Sequence, residues 1–212
     1  RAGTYVTKKP FIFKTPANVI QDCVRAAVDA GAYGAAGINT VPVEPLDDEG
    51  IHLLWNKKGG KSGREIRELG LIKAREMRKA GGNILLMLMG GISTAKDIEA
   101  YAEAGEGGPL VYGIGTATIG MNENELINYF TTIFEDVRNG TNNAERLLKK
   151  VDMTRRKVRV RRVINNDCDF KIYETDTSIN ALPGQFVFAG IPGVGEKRFS
   201  VMDDDPLTLG VL

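Results

Sequence analysis

Short apolar runs alternate with stretches of helical periodicity through about the first 148 residues of the chain. In the stretch 18–30, apolar residues recur at helical spacing up to Gly31, a residue type that commonly ends helices. The pattern predicts strands at 10–14, 33–40, 83–89 and 110–116, and helices at 18–30, 65–79, 94–104 and 123–138. Because strand and helix alternate strictly, we predict parallel strands with helices outside them. Four such units make half of a (β/α)8 barrel or part of a doubly wound sheet.

The period changes after about residue 151. Strand-like runs occur at 158–164, 170–174, 185–189 and 207–212, and they are separated by turn signals at Pro183-Gly184, Pro192-Gly193 and 203–206. This half is typical of an antiparallel all-β fold. We therefore predict two domains, residues 1–150 of α/β type and residues 151–212 of all-β type.

Composition excludes several classes of protein. The formal net charge of +1 provides no overall attraction to nucleic acid or membrane, and no apolar run is long enough to span a bilayer. Cys23 and Cys168 lack metal-ligand spacing, and the single histidine, His52, excludes sites built from several histidines. We expect a cytoplasmic protein without a membrane partner. Because the chain starts at Arg1 rather than methionine, we also expect both of its ends to be truncated.

A basic run at 154–162 alternates arginine or lysine with valine. The run is compatible with nucleic-acid binding, but it equally describes a strand with one solvated face. We favour the strand and do not expect nucleic acid as a partner. Trp55 is expected to pack beneath the glycine-rich stretch at 59–63.

Unusual residues collect where each predicted strand of the first half ends. They form five groups: Lys14-Thr15-Pro16, Ile38-Asn39-Thr40, Gly59-Gly60-Lys61-Ser62-Gly63, Gly90-Gly91-Ile92-Ser93 and Gly113-Ile114-Gly115-Thr116. Active sites of α/β barrels lie at this end of the strands. Glycine lets backbone amides approach a phosphate closely, and helix N-termini present unpaired N–H groups to anions. The last two groups therefore predict a phosphate site, although tight turns alone would also require glycines.

Two polar residues among these groups have a functional and a structural interpretation. Lys14 is either a solvated residue at a strand end or a cation that stabilises the anionic reduced form of a flavin. Asn39 either caps a loop or recognises an amide-bearing ring, since its side chain both donates and accepts hydrogen bonds.

Taken in order, the five groups resemble the dihydroorotate dehydrogenase family over about the first 135 residues. The resemblance implies the C-terminal half of an FMN-binding (β/α)8 barrel that oxidises dihydroorotate to orotate in pyrimidine biosynthesis. It also implies two sets of ligand contacts. FMN would contact Lys14, Ile38, Gly63, Gly90, Gly91, Gly115 and Thr116, and the pyrimidine substrate would contact Asn39 and Thr40.

The first half departs from the family pattern at two places. Lys61 stands where an apolar residue is common, and extra residues at 106–109 precede Gly115. The catalytic base of the family, a cysteine or serine, would lie upstream of Arg1. Cys23 is not that base, because it falls within a predicted helix.

The second half resembles the electron-transfer subunit that accompanies one class of these dehydrogenases, a relative of ferredoxin reductases. The resemblance rests on the run 183–187 and on Lys197-Arg198-Phe199-Ser200. It implies the start of an FAD-binding antiparallel β-barrel in which these four residues hold FAD. The arginine of the family usually precedes the serine by three positions, where this chain has Lys197 and places Arg198 beside it.

The two resemblances together imply a fusion of subunits that are usually separate. Electrons would pass from FMN through FAD toward NAD, and an NAD-binding lobe and a 2Fe-2S cluster would lie beyond Leu212. We expect a homo-oligomer or a hetero-complex. Three alternatives stay open: a related FMN barrel acting on another reduced pyrimidine, an enzyme similar to dihydrouridine synthases that uses the basic strand to hold RNA, and a non-catalytic flavin-binding assembly subunit.

Overall fold

The computed structural model describes residues 9–18, 20–46, 49–54, 57–149, 156–165, 170–181, 185–191 and 194–211. The predictions for Trp55 and Cys168, and those for the turns at Pro183-Gly184 and Pro192-Gly193, lie outside these residues. The chain folds into two compact units, one of residues 1–42 with 60–151 and the other of residues 43–59 with 152–212.

The segment 43–59, which the predicted boundaries placed in the first domain, groups with the second unit, and the domain boundaries themselves stay a prediction. Within the second unit, Lys157 forms an ion pair with Glu49 of this segment. Such a contact joins residues more than a hundred positions apart, so local sequence patterns carry no sign of it. Whether the two units correspond to FMN and FAD domains stays a prediction.

Alternating strands and helices build the first unit. The elements along residues 9–149 are β1 Ile12–Lys14, α1 Ile20–Asp29, β2 Gly34–Gly37, β3 Val41–Val43, β4 Gly59–Lys61, α2 Arg67–Gly81, β5 Leu85–Met89, α3 Ala95–Ala104, β6 Leu110–Gly113 and α4 Glu123–Asn139. Among the described residues, four strands form a parallel sheet in the order β1-β2-β5-β6. The predicted parallel α/β arrangement is confirmed, whereas its extension to a barrel stays a prediction.

The core of this unit lies between the sheet and the helices. Leu86 and Leu88 of β5 are fully buried on the helix-facing side, together with Met77 of α2. The strand β2 is made only of glycine and alanine, and a Cβ on Gly37 would lie 3.1 Å from the sulfur of Met77. Small residues in β2 therefore let the helices approach the sheet closely.

The short strands β3 and β4 pair with each other and were not predicted. The sequence pattern indicated one strand through Thr40 and a loop at 59–63. Instead β2 ends at Gly37, and a Cβ on Gly60 would overlap the Thr40 side chain. Glycine is depleted in strands, so strand patterns do not reveal a pairing that depends on the close approach of a glycine backbone.

The second unit contains an antiparallel sheet, as predicted. Its strands are β7 Val160–Asn165, β8 Lys171–Thr175, β9 Phe186–Ile191, β10 Gly195–Asp204 and β11 Leu207–Val211, and their order over the described residues is β7-β8-β11-β10-β9. The strand β10 was not among the predicted strands. It runs into Asp203 and Asp204, which were assigned to a turn, and the turn is confined to residues 205–206.

Candidate functional site

A cavity of about 400 Å³ opens where the strands of the first unit end. Five segments supply its walls: Ile38–Thr40 after β2; Ser62, Gly63, Arg64 and Ile66 after β4; Met89–Ser93 at the end of β5; Gly113–Ala117 at the end of β6; and Leu148 with Lys149 after α4. Parallel strands place their carboxyl ends at one edge of the sheet, so residues that are distant in sequence meet there. Such an edge is where open α/β sheets bind ligands.

Most of the predicted FMN and substrate contacts line this cavity. They are Ile38, Asn39, Thr40, Gly63, Gly90, Gly91, Gly115 and Thr116. Lys14 does not line it: the residue is exposed at the end of β1, beside Ala36 of β2. Their roles as ligand contacts stay predictions, that of Lys14 included.

The cavity also contains residues that the strand-end pattern did not identify. Arg64 lies between the glycine-rich group 59–63 and α2. Leu148 and Lys149 follow α4 and are far along the chain from the glycine groups. On the surface of the first unit, Lys149 Nζ lies 2.7 Å from Glu125 Oε2, and Arg64 lies 3.8 Å from Glu145. The segment after α4 had only been interpreted as a domain boundary, and no motif in it indicates a site.

Three glycines of the cavity adopt backbone conformations that other residues rarely do. Gly63, Gly90 and Gly91 have φ angles of 94°, 117° and 77°. A Cβ on Gly91 would lie 2.9 Å from both the Arg67 Cβ and the Gly63 carbonyl oxygen. Two separate constraints, positive φ and close packing, therefore require glycine at position 91.

Several backbone amides in the two glycine loops have no partner within the part of the chain that is described. These are the N–H groups of Gly91, Ile92, Gly115 and Thr116. Gly91 is half-buried and Ile92 is buried, and N–H groups in such places are normally satisfied by protein, water or ligand, whereas Gly115 and Thr116 are exposed. Two loops with such amides on one cavity form an arrangement that accepts an anion.

Asp97, which does not line the cavity, binds the loop that follows β5. Its Oδ2 accepts hydrogen bonds from the backbone N–H and hydroxyl of Ser93 and from those of Thr94, each at 3.0 Å. Its Oδ1 accepts a bond of 2.5 Å from Arg67 Nε. Burial would raise the pKa of Asp97, but these hydrogen bonds outweigh burial and hold the pKa below the ordinary 3.8.

Two buried tyrosines hold the ends of the same loop. Tyr101 of α3 donates from Oη to the Gly90 carbonyl at 2.6 Å, and Tyr129 of α4 donates to the Ser93 carbonyl at 2.8 Å. Burial raises the pKa of Tyr101 and raises the pKa of Tyr129 to about 12. Both hydroxyls are therefore protonated donors at neutral pH.

The predicted FAD contacts in β10 lie on both faces of the antiparallel sheet. Arg198 and Ser200 pair with Phe188 and Phe186 of β9, and the Arg198 guanidinium lies 5.7 Å from the centroid of the Phe186 ring. Side chains alternate along a strand, so Lys197 and Phe199 point to the opposite face. A ligand on one face can therefore contact at most two of the four side chains, and their assignment to FAD stays a prediction.

The described residues also limit other kinds of site. They contain no group of three or more His, Cys, Asp or Glu side chains that could hold a metal ion. None of the helices built from them is long and apolar enough to cross a membrane.

The fold defines an α/β protein with a cavity at the carboxyl ends of its parallel strands. Over about half of its length, the chain is similar to proteins described as the catalytic subunit of dihydroorotate dehydrogenase B (NAD(+)). It is 35% identical over 103 residues to the protein of Bacillus thuringiensis (strain Al Hakam), covering 47% of this chain and 33% of that protein. It is also 35% identical over 115 residues to that of Malacoplasma penetrans (strain HF-2), covering 53% and 36% respectively.

This similarity confirms the predicted resemblance to dihydroorotate dehydrogenases, while the fusion to an electron-transfer subunit stays a prediction. The chain spans about a third of the length of these relatives. No protein-family model matches the sequence. A crystal structure of dihydroorotate dehydrogenase from Eimeria tenella, in complex with ferulenol, aligns with a TM-score of 0.41 and 20% identity over 65% of this chain and 36% of that one. At that level the structural likeness does not assign a fold.

Proposed function

We propose that this chain is part of a flavin-dependent oxidoreductase that binds FMN in the cavity and oxidises dihydroorotate to orotate in pyrimidine biosynthesis. The observation that carries the proposal is the convergence of two glycine loops with unpaired amides on one cavity. The similarity to catalytic subunits of dihydroorotate dehydrogenase B supports the choice of substrate.

The cavity residues fit the chemical groups of FMN. The amides of Gly91, Ile92, Gly115 and Thr116 suit a phosphate, and about 400 Å³ falls within the usual range of small-molecule sites. A Cβ on Gly115 would meet nothing within 4 Å, so the open space beside it is available to a ligand atom. When bound, FMN would supply hydride acceptance.

The remaining polar residues of the cavity would orient the substrate. Asn39 can donate to a ring carbonyl and accept from a ring N–H, and Thr40 adds a hydroxyl beside it. The described cavity residues include no carboxylate, cysteine or histidine that would remove a proton from the substrate. Ser62 and Ser93 do line the cavity, but their hydroxyls are hydrogen-bonded to Thr116 and Asp97 respectively. The family resemblance places the base upstream of Arg1, and we propose that it lies outside the described residues.

The path of the electrons after FMN is a second part of the proposal. The β10 residues Lys197, Arg198, Phe199 and Ser200 would hold FAD, and electrons would continue toward NAD. The aromatic and cationic surface formed by Phe186, Phe188 and Arg198 supports this reading, because a flavin can stack on an aromatic ring. Only Arg198 and Ser200 share that face.

The test follows flavin absorbance under anaerobic conditions. The full-length protein is first titrated with FMN, and dihydroorotate and then NAD are added. We expect saturable FMN binding, bleaching by dihydroorotate and recovery with NAD. Absence of FMN binding would refute the proposed flavin site. If bound flavin is not bleached by dihydroorotate but is bleached by NADH, the proposed substrate is refuted and the proposed electron path is retained.

The variant Gly115→Ala sharpens the test of the cavity. Because its Cβ meets nothing within 4 Å, the fold should keep its stability. If a phosphate approaches the Gly115 backbone, the added methyl group will weaken FMN binding. Unchanged FMN affinity in Gly115→Ala would contradict a phosphate at this position.

A further inference from the structure

We propose that Asp97 is a positioning residue that holds the loop 90–94 in the conformation that presents the Gly91 and Ile92 amides to the cavity. The inference rests on the proposed flavin site and extends it to a residue that does not itself line the cavity. Asp97 is 2% exposed and acts only through the groups to which it is bonded.

The bonding of Asp97 goes beyond what a helix cap requires. Both α3 and α4 begin with a capping box, in which the third helical residue accepts from the N-cap backbone. In α4 this contact is a single bond of 2.8 Å from the Asn122 N–H to Glu125. Asp97 accepts the equivalent bond from the Thr94 N–H. It also accepts hydrogen bonds from the Ser93 N–H, the Ser93 hydroxyl, the Thr94 hydroxyl and Arg67 Nε. The additional bonds reach into the loop, where capping has no need of them.

Arg67 completes the support behind the loop. Its side chain is 24% exposed and donates to Asp97, and its backbone carbonyl accepts a long bond of 3.4 Å from the Tyr101 hydroxyl. Gly91 packs directly against it, since a Cβ there would lie 2.9 Å from the Arg67 Cβ. With Tyr101 on the Gly90 carbonyl and Tyr129 on the Ser93 carbonyl, the loop is bonded at both ends and supported in the middle.

The charge of Asp97 allows positioning to be separated from electrostatics. A carboxylate behind an anion site repels the anion, and the ion pair with Arg67 only offsets this repulsion. Asp97→Asn removes the negative charge, so electrostatics alone would tighten the binding of a phosphate. A positioning role predicts weaker binding of the phosphate instead. Asparagine has only one acceptor oxygen, so it cannot accept a hydrogen bond from Arg67 while that oxygen accepts those of the loop.

The experiment compares Asp97→Asn with wild type in the full chain, using FMN and riboflavin as ligands. We expect FMN affinity to fall about tenfold, since ordering one freed loop residue on binding costs about a factor of ten. Riboflavin, which lacks the phosphate, should bind nearly as before. Val24→Ala, a buried change in α1, is the matched control that lowers stability without touching the loop.

Several results would overturn the inference. One is FMN affinity that is unchanged or higher in Asp97→Asn; another is an equal loss for FMN and riboflavin, which would indicate general destabilisation. If Asp97→Asn does not fold, Tyr101→Phe removes a single bond to the same loop and should show the same preference for FMN loss. Unchanged FMN affinity in that variant would then count against the inference.

A measurement without ligand distinguishes failure of this inference from failure of the proposed function. Backbone NMR order parameters at Gly91 and Ile92 should indicate a rigid loop in wild type and a flexible one, below about 0.6, in Asp97→Asn. A loop that stays rigid in the variant refutes positioning. A loop that loosens in the variant, in a protein that never binds FMN, refutes the flavin site alone.

Discussion

Replacing Gly91 with alanine tests the cavity most directly, because the structure predicts two separate costs. At a φ of 77°, an alanine is in the left-handed region, which costs about 1–2 kcal/mol relative to glycine. The new methyl group would also lie 2.9 Å from the Arg67 Cβ and the Gly63 carbonyl oxygen. Relief of that overlap moves backbone and costs about 1–3 kcal/mol more.

Gly140→Ala is the matched control, since it has only the first cost. Gly140 follows α4 with a φ of 65°, and a Cβ there would meet nothing within 4 Å. We expect it to lose about 1–2 kcal/mol of unfolding free energy and to bind FMN normally, against about 2–5 kcal/mol for Gly91→Ala.

The assay combines urea unfolding with FMN titration. The described α-helices all belong to the first unit, so helical circular dichroism reports on the unit that contains the cavity. Gly91→Ala should also weaken FMN binding by at least tenfold, because the shift of residue 91 moves the amides at the cavity. Equal stability losses in the two variants would refute the packing argument, and wild-type FMN affinity in Gly91→Ala would refute the role of the loop.

Two further predictions concern residues behind the cavity. Alanine is favoured over glycine within helices by about 1 kcal/mol, yet Gly70→Ala should destabilise the protein in urea unfolding, because its Cβ would overlap the Tyr101 hydroxyl; a more stable variant would contradict this packing. For Asp136, burial would raise the pKa, but hydrogen bonds from Thr141, Ala144 and Asn143 lower it to about 2, against an ordinary 3.8. The unfolded chain therefore takes up protons first on acidification, so stability is lost as the pH falls from 3.8 toward about 2. Asp136→Asn should flatten the pH dependence of the unfolding free energy in that window, and an unchanged slope would refute the assignment.

Much of the cavity could be predicted because its residues follow strands. A strand with an apolar run and a glycine pair after it is a local pattern, and parallel pairing brings all such ends to one edge of the sheet. The predicted contacts that line the cavity, the first of which is Ile38 and the last Thr116, were found in this way. Lys14 satisfied the same rule but is exposed at the end of β1 and does not line the cavity, because the rule predicts only the edge of the sheet at which a residue lies.

The sequence by itself determined the alternation of helices with the four strands of the parallel sheet, the change to antiparallel strands and the positions of the glycine loops. Each of these depends on the conformational preferences of neighbouring residues. Tertiary structure alone decided that Leu148 and Lys149 reach the cavity and that the segment 43–59 joins the second unit. The same holds for Asp97, whose partner Arg67 is thirty residues away. These features depend on contacts between distant segments, and no local periodicity records which segments will meet.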